Sequence, residues 1–388
     1  MEAMPVNVSI VSCQDYTPER LDAAIEAALE PLGGLDWVKP GMTVAIKTNL
    51  ISRMAPETAA VTHPECLAAL TRMLDARGAR VVVGDSPGGP FTAAWVRAVY
   101  SGTGVAAVER AGGGLNADFS TMEAEFPEGR TVKRFPYTAW LAKADAIIDF
   151  AKLKTHGMAN MTCAVKNFFG SIPGTRKPEM HYMHQSLEDF CSMLVDLALY
   201  NAPRVTLVDA VDCMEGNGPS HGTPRHMGAI IAADTPFNAD LLCAHLIGLD
   251  AADAPTVAES IARGLCPADW LELSIAGDPE AFAIPDFKKP PRNRKINFSS
   301  QSPWLRAFLR RGFGTGPKID RSVCVGCGKC AEVCPADAAH VKRGKAYIDS
   351  KKCIRCFCCQ EFCPKGAVEV HCPLLARLIA REKKQKGS

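Results

Sequence analysis

The sequence predicts an α/β domain built on a mostly parallel sheet flanked by helices, followed by a small, cysteine-rich α+β domain. Three observations carry this. From Val6 to about Asp278, short β-branched runs alternate with longer amphipathic stretches, the pattern of strand–helix–strand units. The strand-like runs are nearly continuous in apolar residues, as expected where helices cover both faces of a sheet. Ten of the 17 cysteines fall between Cys324 and Cys372, so a compositional boundary lies just before that region.

Taken in order, "VNVSIVS" is the first strand. "TPERLDAAIEAALEPLGG" is a helix, with Thr17-Pro18 as start signal and Gly33-Gly34 as stop. "MTVAIKTNL" is a strand, "HPECLAALTRMLDARGA" a helix, and "RVVVGDS" and "ADAIIDFAKLK" are strands. "SLEDFCSMLVDLALY" is a helix with Ser186 as its cap. "RVTLVDAVD" and "HMGAIIAAD" are strands, "TPFNADLLCAHLIGL" a helix, and "LELSIAGD" the last strand. Strand order does not follow from these patterns. The expected layout is an α/β domain over 1–284 and a basic, Pro/Gly-rich linker over 285–315 with one short helix from Pro303 to about Arg311. The cysteine-rich domain follows over 316–372, and a basic tail over 373–388.

Composition narrows the function classes. The chain of 388 residues is 47% hydrophobic and 22% charged, with a net charge of +2. It has room for two domains and a sizeable core. No global field and no basic stripe with interleaved aromatics argues for nucleic acid. No apolar run is long enough for a membrane span. The N-terminal "MEAMPVNVSIVSCQDY" lacks the pattern of a secretory signal. The expected compartment is the cytoplasm, where disulfides are uncommon, so the cysteines are expected as thiols or metal ligands.

The cysteines repeat. "CVGCGKCAEVCPADAAHV" (324–341) and "CIRCFCCQEFCPKGAVEV" (353–370) share one register, offset by 29 residues from Cys324 to Cys353. Each reads C-x2-C-x2-C-x3-C-P, the bacterial ferredoxin run for a 4Fe–4S cluster. Three cysteines at this spacing lie on a tightly curling loop and converge on one cube, and the following proline turns the chain away. In two-cluster ferredoxins the fourth cysteine serves the other cube. By that pattern Cys324, Cys327, Cys330 and Cys363 hold one cluster, and Cys353, Cys356, Cys359 and Cys334 hold the second. A zinc site would take two pairs and leave the third cysteine of each run unused. Cys358 and Cys372 are expected as non-ligands. Cys66, Cys163, Cys191 and Cys243 sit among apolar residues and read as core.

In open parallel sheets ligands bind beyond the carboxyl ends of the strands. Polar residues follow several apolar runs: Lys47 and Asn49, Asp85, Lys152, Lys154 and His156, and then Glu215 and Gly216 after the "VTLVDAVD" strand. Lys166 and Asn167 are expected on a short helix. Four lysines at one sheet edge favour an anionic small molecule, a carboxylate or a phosphate. His181 and His184 in "HYMH" are a weak metal pattern, read first as ordinary packed histidines. No G-x-G-x-x-G and no P-loop is present.

"FAKLKTHGMANMTCAVKNFFGSIPG", with "GDSPGG", "THPECL" and "VDAVDCMEGNGPSHGTP", resembles the family called domain of unknown function 362, over most of residues 5–280. Residues 316–371 resemble two-cluster bacterial ferredoxins. The resemblance implies an iron–sulfur fusion protein and supports Lys152, Lys154, His156, Lys166, Asn167, Glu215 and Gly216 as site candidates.

The expected function is an oxidoreductase passing electrons through two 4Fe–4S clusters to or from a small anionic substrate in the α/β domain. In that reading Lys154, His156 and Lys166 are catalytic; Lys47, Asn49, Asp85, Lys152, Asn167, Glu215 and Gly216 bind substrate. A redox partner protein is expected, with the basic linker as a second-choice dock and a plain tether as the first. Two alternatives stand beside it: an electron carrier or maturation factor that binds a partner protein, and a non-redox enzyme with structural clusters.

Overall fold

The structure is a computed structural model describing residues 5–290 and 315–371. The expected linker helix at Pro303–Arg311, Cys372 and the tail at 373–388 lie outside the described residues.

The strands in chain order are β1 (Val8–Ser12), β2 (Thr43–Thr48), β3 (Arg80–Gly84), β4 (Gly114–Leu115), β5 (Thr121–Glu125), β6 (Arg134–Thr138), β7 (Ala146–His156), β8 (Asn160–Thr162), β9 (Val205–Glu215), β10 (Thr223–Ala233) and β11 (Ile275–Ala276). Nine of them form one sheet in the order β11-β1-β10-β9-β7-β2-β3-β4, with β8 paired to β7. The run from β9 through β7, β2 and β3 to β4 is parallel throughout. Long helical connections carry the chain back between these strands, as parallel pairing demands. β10 is antiparallel to both β9 and β1. It follows β9 after a short connection, which permits only an antiparallel return. β5 and β6 form a separate antiparallel ribbon.

All seven expected strands and the four long helices expected of the α/β domain form. Val44, Ala45 and Ile46 of β2 are fully buried, as are Ile148, Phe150 and Ala151 of β7, consistent with a sheet flanked by helices. The first helix, Pro18–Leu29, ends in a tight turn closed by Gly33 at φ +85°. A left-handed residue there satisfies the stop signal. Leu187–Asn201 begins on Ser186, whose hydroxyl accepts from the Asp189 N–H at 3.0 Å. The last strand is shorter than its pattern. Asp269 and Glu272 form a reciprocal cap on a turn at Trp270–Glu272, so "LEL" is drawn into that turn and two residues remain for pairing.

The C-terminal module is a duplicated unit. Its strands β12 (Gly316–Ile319), β13 (Ala339–Lys342), β14 (Lys345–Ile348) and β15 (Val368–His371) pair crosswise, β12 with β15 and β13 with β14. Each copy thus supplies one strand to each ribbon. One-turn helices at Lys329–Glu332 and Cys358–Glu361 occupy equivalent places. Gly326 and Gly328 take positive φ in the first cysteine loop; Arg355 and Phe357 take it in the second. For non-glycine residues that conformation costs on the order of 1 kcal/mol each, so the loop geometry overrides local preference. Phe357 and Val370 are buried in the main core, which fixes the module against the α/β domain.

Candidate functional site

The carboxyl ends of β2, β3, β7 and β9 share one edge of the sheet, and the module docks on it. The docking is direct. Glu361 of the module accepts from His156 Nε2 at 2.7 Å, Asn217 donates to the Val368 carbonyl at 3.3 Å, and Ser220 to the Glu361 carbonyl at 3.3 Å. Gly157 makes the approach possible: a Cβ there would lie 2.3 Å from Gln360 Oε1 and 2.8 Å from Val370 Cγ2.

A cavity of about 470 Å³ lies between the two parts. The α/β domain contributes Asn49, Asp85, Lys154, Lys166, Asn167, Lys177 and His181 to its lining. The module contributes Cys327, Cys358, Glu361, Phe362 and Cys363. Ile51, Met54, Trp95 and Phe169 supply apolar wall.

The lysines differ sharply in their partners. Lys47 is buried in an ion pair with Asp85 at 2.8 Å, and Lys152 in one with Asp209 at 2.7 Å. Lys152 and Asp209 are register partners on β7 and β9. Tyr16 joins that pair, accepting from Lys152 and donating to Asp209, each at 3.1 Å. Neither Lys47 nor Lys152 lines the cavity. The expectation that all four edge lysines would offer charge to a ligand is therefore corrected.

Lys154 is fully buried. Its Nζ donates to Asn49 Oδ1 and to the Ala60 carbonyl, both at 2.7 Å, and among the described residues it has no ion pair. Burial, then the Lys166 charge, lowers its pKa to about 7. Lys166 sits on the one-turn helix Ala164–Asn167, whose first N–H groups are held by Asp240 at 2.7 and 3.3 Å. Lys166 and Lys177 flank the Phe169 ring, their ammonium nitrogens 5.4 and 5.5 Å from its centroid. Lys177 donates to the Ser86 carbonyl, and burial lowers its pKa to about 8.

His156 Nδ1 accepts from the backbone N–H groups of Met158 and Ala159, at 3.1 and 3.2 Å. Its proton must then sit on Nε2 and point at Glu361. Burial lowers the His156 pKa to about 4, so the ring is neutral. Burial alone would raise the Glu361 carboxyl, but Lys166 (4.0 Å away) and the His156 hydrogen bond hold it below the usual range.

Asn167 lies at the centre of the remaining polar network. It accepts from Lys47 at 3.2 Å and donates to Asp149 at 2.7 Å. Glu215 and Gly216 do not line the cavity. Glu215 takes the Lys288 N–H at 3.0 Å, and the Gly216 N–H donates to the Lys288 carbonyl at 2.7 Å. They anchor the chain where it leaves the α/β domain. His181 stacks on Phe190, with centroids 4.2 Å apart, and His184 contacts Asp189 at 2.9 Å. The two histidines form no joint site, and among the described residues no three His, Cys, Asp or Glu side chains gather around a single metal ion.

Lys177, His181 and Glu361 are cavity residues that sequence reasoning did not assign to a substrate site. Lys177 lies in "GTRKPEM", which carries no recognisable pattern. Glu361 stands inside the second cysteine run, where every residue reads first as cluster scaffold.

The cysteines suit iron–sulfur ligation. Backbone N–H groups donate to three of the sulfurs: Ala338 to Cys334 at 3.2 Å, and Ala346 to Cys324 and Ala367 to Cys363, both at 3.3 Å. Such bonds stabilise thiolate charge. The charges of Cys363 and Cys324 bear on Cys330, those of Cys356 and Cys334 on Cys353, and those of both runs on Cys359. The sets expected from the sequence, Cys324, Cys327, Cys330 and Cys363 as the first donor group and Cys353, Cys356, Cys359 and Cys334 as the second, draw on all eight cysteines of the two runs. Soft thiolates at this spacing fit 4Fe–4S clusters.

Comparison with known proteins agrees. The family described as domain of unknown function (DUF362) matches residues 44–245, and the 4Fe-4S dicluster domain matches residues 316–364. A thylakoid-associated protein of Synechocystis sp. is 33% identical over 306 residues, covering 76% of this chain and 91% of its own. Two solved structures are more distant. A Thermotoga maritima protein shows 14% identity and a TM-score of 0.35, over 55% of each chain. The lactate racemase apoprotein of Thermoanaerobacterium thermosaccharolyticum shows 11% identity and a TM-score of 0.37, over 59% of this chain and 54% of its own. The chain spans about half the length of these two structures. It belongs to the DUF362 family and is an iron–sulfur protein, with a 4Fe–4S dicluster domain following the family's α/β domain.

Proposed function

We propose that the protein is an oxidoreductase acting on a small anionic substrate, with one 4Fe–4S cluster held by Cys324, Cys327, Cys330 and Cys363 and a second by Cys353, Cys356, Cys359 and Cys334. One observation carries the reading: the same cavity is lined by Lys154, Lys166 and Lys177 and by Cys327 and Cys363 of the first donor group. When bound, the clusters supply one-electron transfer.

The chain's own residues prepare the substrate. Lys166 and Lys177 bind a carboxylate or phosphate as point charges. Ile51, Met54, Trp95 and Phe362 exclude water, which strengthens those charges. Lys154, poised near neutral pH, holds a proton at the cavity wall and can deliver it to a reduced substrate. His156 has both ring nitrogens committed, so we assign it to positioning Glu361 rather than to proton transfer. The module exchanges electrons with a partner protein, and the compartment we expect is the cytoplasm.

The test is anaerobic. Protein reduced by dithionite and freed of excess reductant is mixed with carboxylates and phosphates while the visible absorbance is followed. One class of anion should reoxidise the native protein and fail with the Lys166→Ala, Lys177→Ala double variant. If no anion alters either the rate or the spectrum, the reading is wrong.

A second reading, an electron carrier or maturation factor, is favoured by the exposed Val323 and Val325 of the module. Recovery of one stable partner protein, with no small-molecule thermal shift, would select it.

A further inference from the structure

The duplication of the module gives it two related faces, and among the described residues only one is covered. On the second copy, Phe357, Gln360 and Val370 are buried, and Phe362 packs so close to Gly88 that a Cβ there would lie 2.7 Å from its ring. Their counterparts on the first copy, 29 residues earlier, are Gly328, Ala331, Val341 and Val333. Val341 is 39% exposed. Cys356 is buried, whereas its counterpart Cys327 is exposed.

The uncovered face is apolar at its centre and basic around it. Val323 and Val325, on either side of Cys324, are 42% and 58% exposed. The turn between β13 and β14 packs directly on this loop: Lys345 donates to the Cys324 carbonyl at 2.6 Å, and a Cβ on Gly326 would lie 2.2 Å from the Gly344 carbonyl oxygen. Val341, Lys342 and Arg343 lead into that turn, and Arg321 lies two residues before Val323; all three cations are exposed. Of the acids of this copy, Glu332 is paired with Lys329 at 2.7 Å and Asp337 with Lys352 at 3.5 Å, while Asp320 accepts from the Ser322 N–H and hydroxyl at 2.8 and 2.6 Å.

We infer that this face, Val323, Val325 and Val341 rimmed by Arg321, Lys342 and Arg343, is the docking surface for an acidic protein electron carrier. The inference rests on the redox reading. An apolar centre excludes water at the point of contact, and opposite charges steer the approach and set its salt dependence. An acidic rim on the carrier complements the three cations. Contact at this face also puts the carrier beside Cys324 and the exposed Cys327.

The probe is an acidic flavodoxin, reduced and mixed anaerobically with the full cluster-loaded chain in stopped flow at two ionic strengths. Variants are Lys342→Glu, Arg343→Glu together, and Val325→Lys. Direct reduction by dithionite is measured alongside. The expected result is a second-order rate that falls about tenfold or more in the charge-reversal variant and with added salt, a slower rate in Val325→Lys, and dithionite reduction unchanged in all. A charge-reversal variant that accepts electrons from flavodoxin at the native rate overturns the docking surface and leaves the redox reading standing. Clusters that dithionite fails to reduce overturn both.

Discussion

Lys154→Met should make the protein more stable while weakening its affinity for anions, because the Lys154 charge adds to those of Lys166 and Lys177 in the same cavity. A fully buried ammonium whose pKa falls from 10.5 to about 7 is a destabilising group. That fall corresponds to about 5 kcal/mol against the folded state when the lysine is charged. Methionine of similar length removes that term. It also leaves Asn49 Oδ1 and the Ala60 carbonyl without their donor, which costs about 1–3 kcal/mol each if both stay buried. The net expectation at pH 7 is stabilisation of on the order of 1–2 kcal/mol. The pH dependence separates this from a packing effect. Below pH 7 lysine 154 is charged in both states and its penalty is complete. Between pH 7 and 10.5 it is neutral when folded and charged when unfolded, so native stability rises with pH. The advantage of the variant should therefore be largest near pH 6 and shrink towards pH 9. Thermal melting of both proteins at matched iron content, across pH 6–9, reads this out; isothermal titration with the anion that reoxidises the native protein reads affinity. A variant that melts below the native protein at pH 6 and binds the anion equally well would refute the reasoning.

Other predictions follow from single contacts. Asp209→Asn leaves Lys152 buried without its counter-charge and should lower stability by about 3–5 kcal/mol, measured by melting; an unchanged melting temperature would mean that the pair is open to water. Glu361→Ala strands the His156 N–H and should loosen the module, raising protease cleavage between domain and module, whereas Glu361→Gln keeps the acceptor and should resist. Gly157→Val must displace Gln360 or Val370 and should cost roughly 1–3 kcal/mol, again with easier cleavage. Cys358→Ala should retain all iron and sulfide, and Cys359→Ala should not; analytical iron decides. Anion affinity should weaken as pH rises from 7 to 9, because Lys154 and then Lys177 lose their protons; a flat profile would remove both from the binding site.

Much of the fold was legible because strand and helix periods are local properties. The seven apolar runs and the four amphipathic helices could be read without knowing how they pair. Pairing is not local, and that is where the site reading went astray. Lys47 and Lys152 look like free strand-end cations in sequence. Asp85 lies beyond the end of the strand next to Lys47, and Asp209 stands opposite Lys152 on β9, so both are neutralised. Lys154, two residues further on, meets an asparagine and a carbonyl instead and keeps its role. The register also shifts between Lys152 and Lys154, which the assumption of a regular strand did not allow for. Glu361 was hidden for a different reason: its partners, His156 and Lys166, lie about two hundred residues away, and nothing in the cysteine run shows that its helix faces the sheet edge. The iron–sulfur character of the two cysteine runs was readable, since their spacing is a local pattern.

The central claim is that an anion site and an iron–sulfur centre share one cavity. Electron paramagnetic resonance of the anaerobically purified, dithionite-reduced protein, recorded with and without the binding anion, tests it most directly. Signals of reduced 4Fe–4S clusters are expected, one of which changes shape on anion addition in the native protein but not in the Lys166→Ala, Lys177→Ala variant. Signals that no anion perturbs, or a preparation holding zinc in place of iron and sulfide, would contradict it.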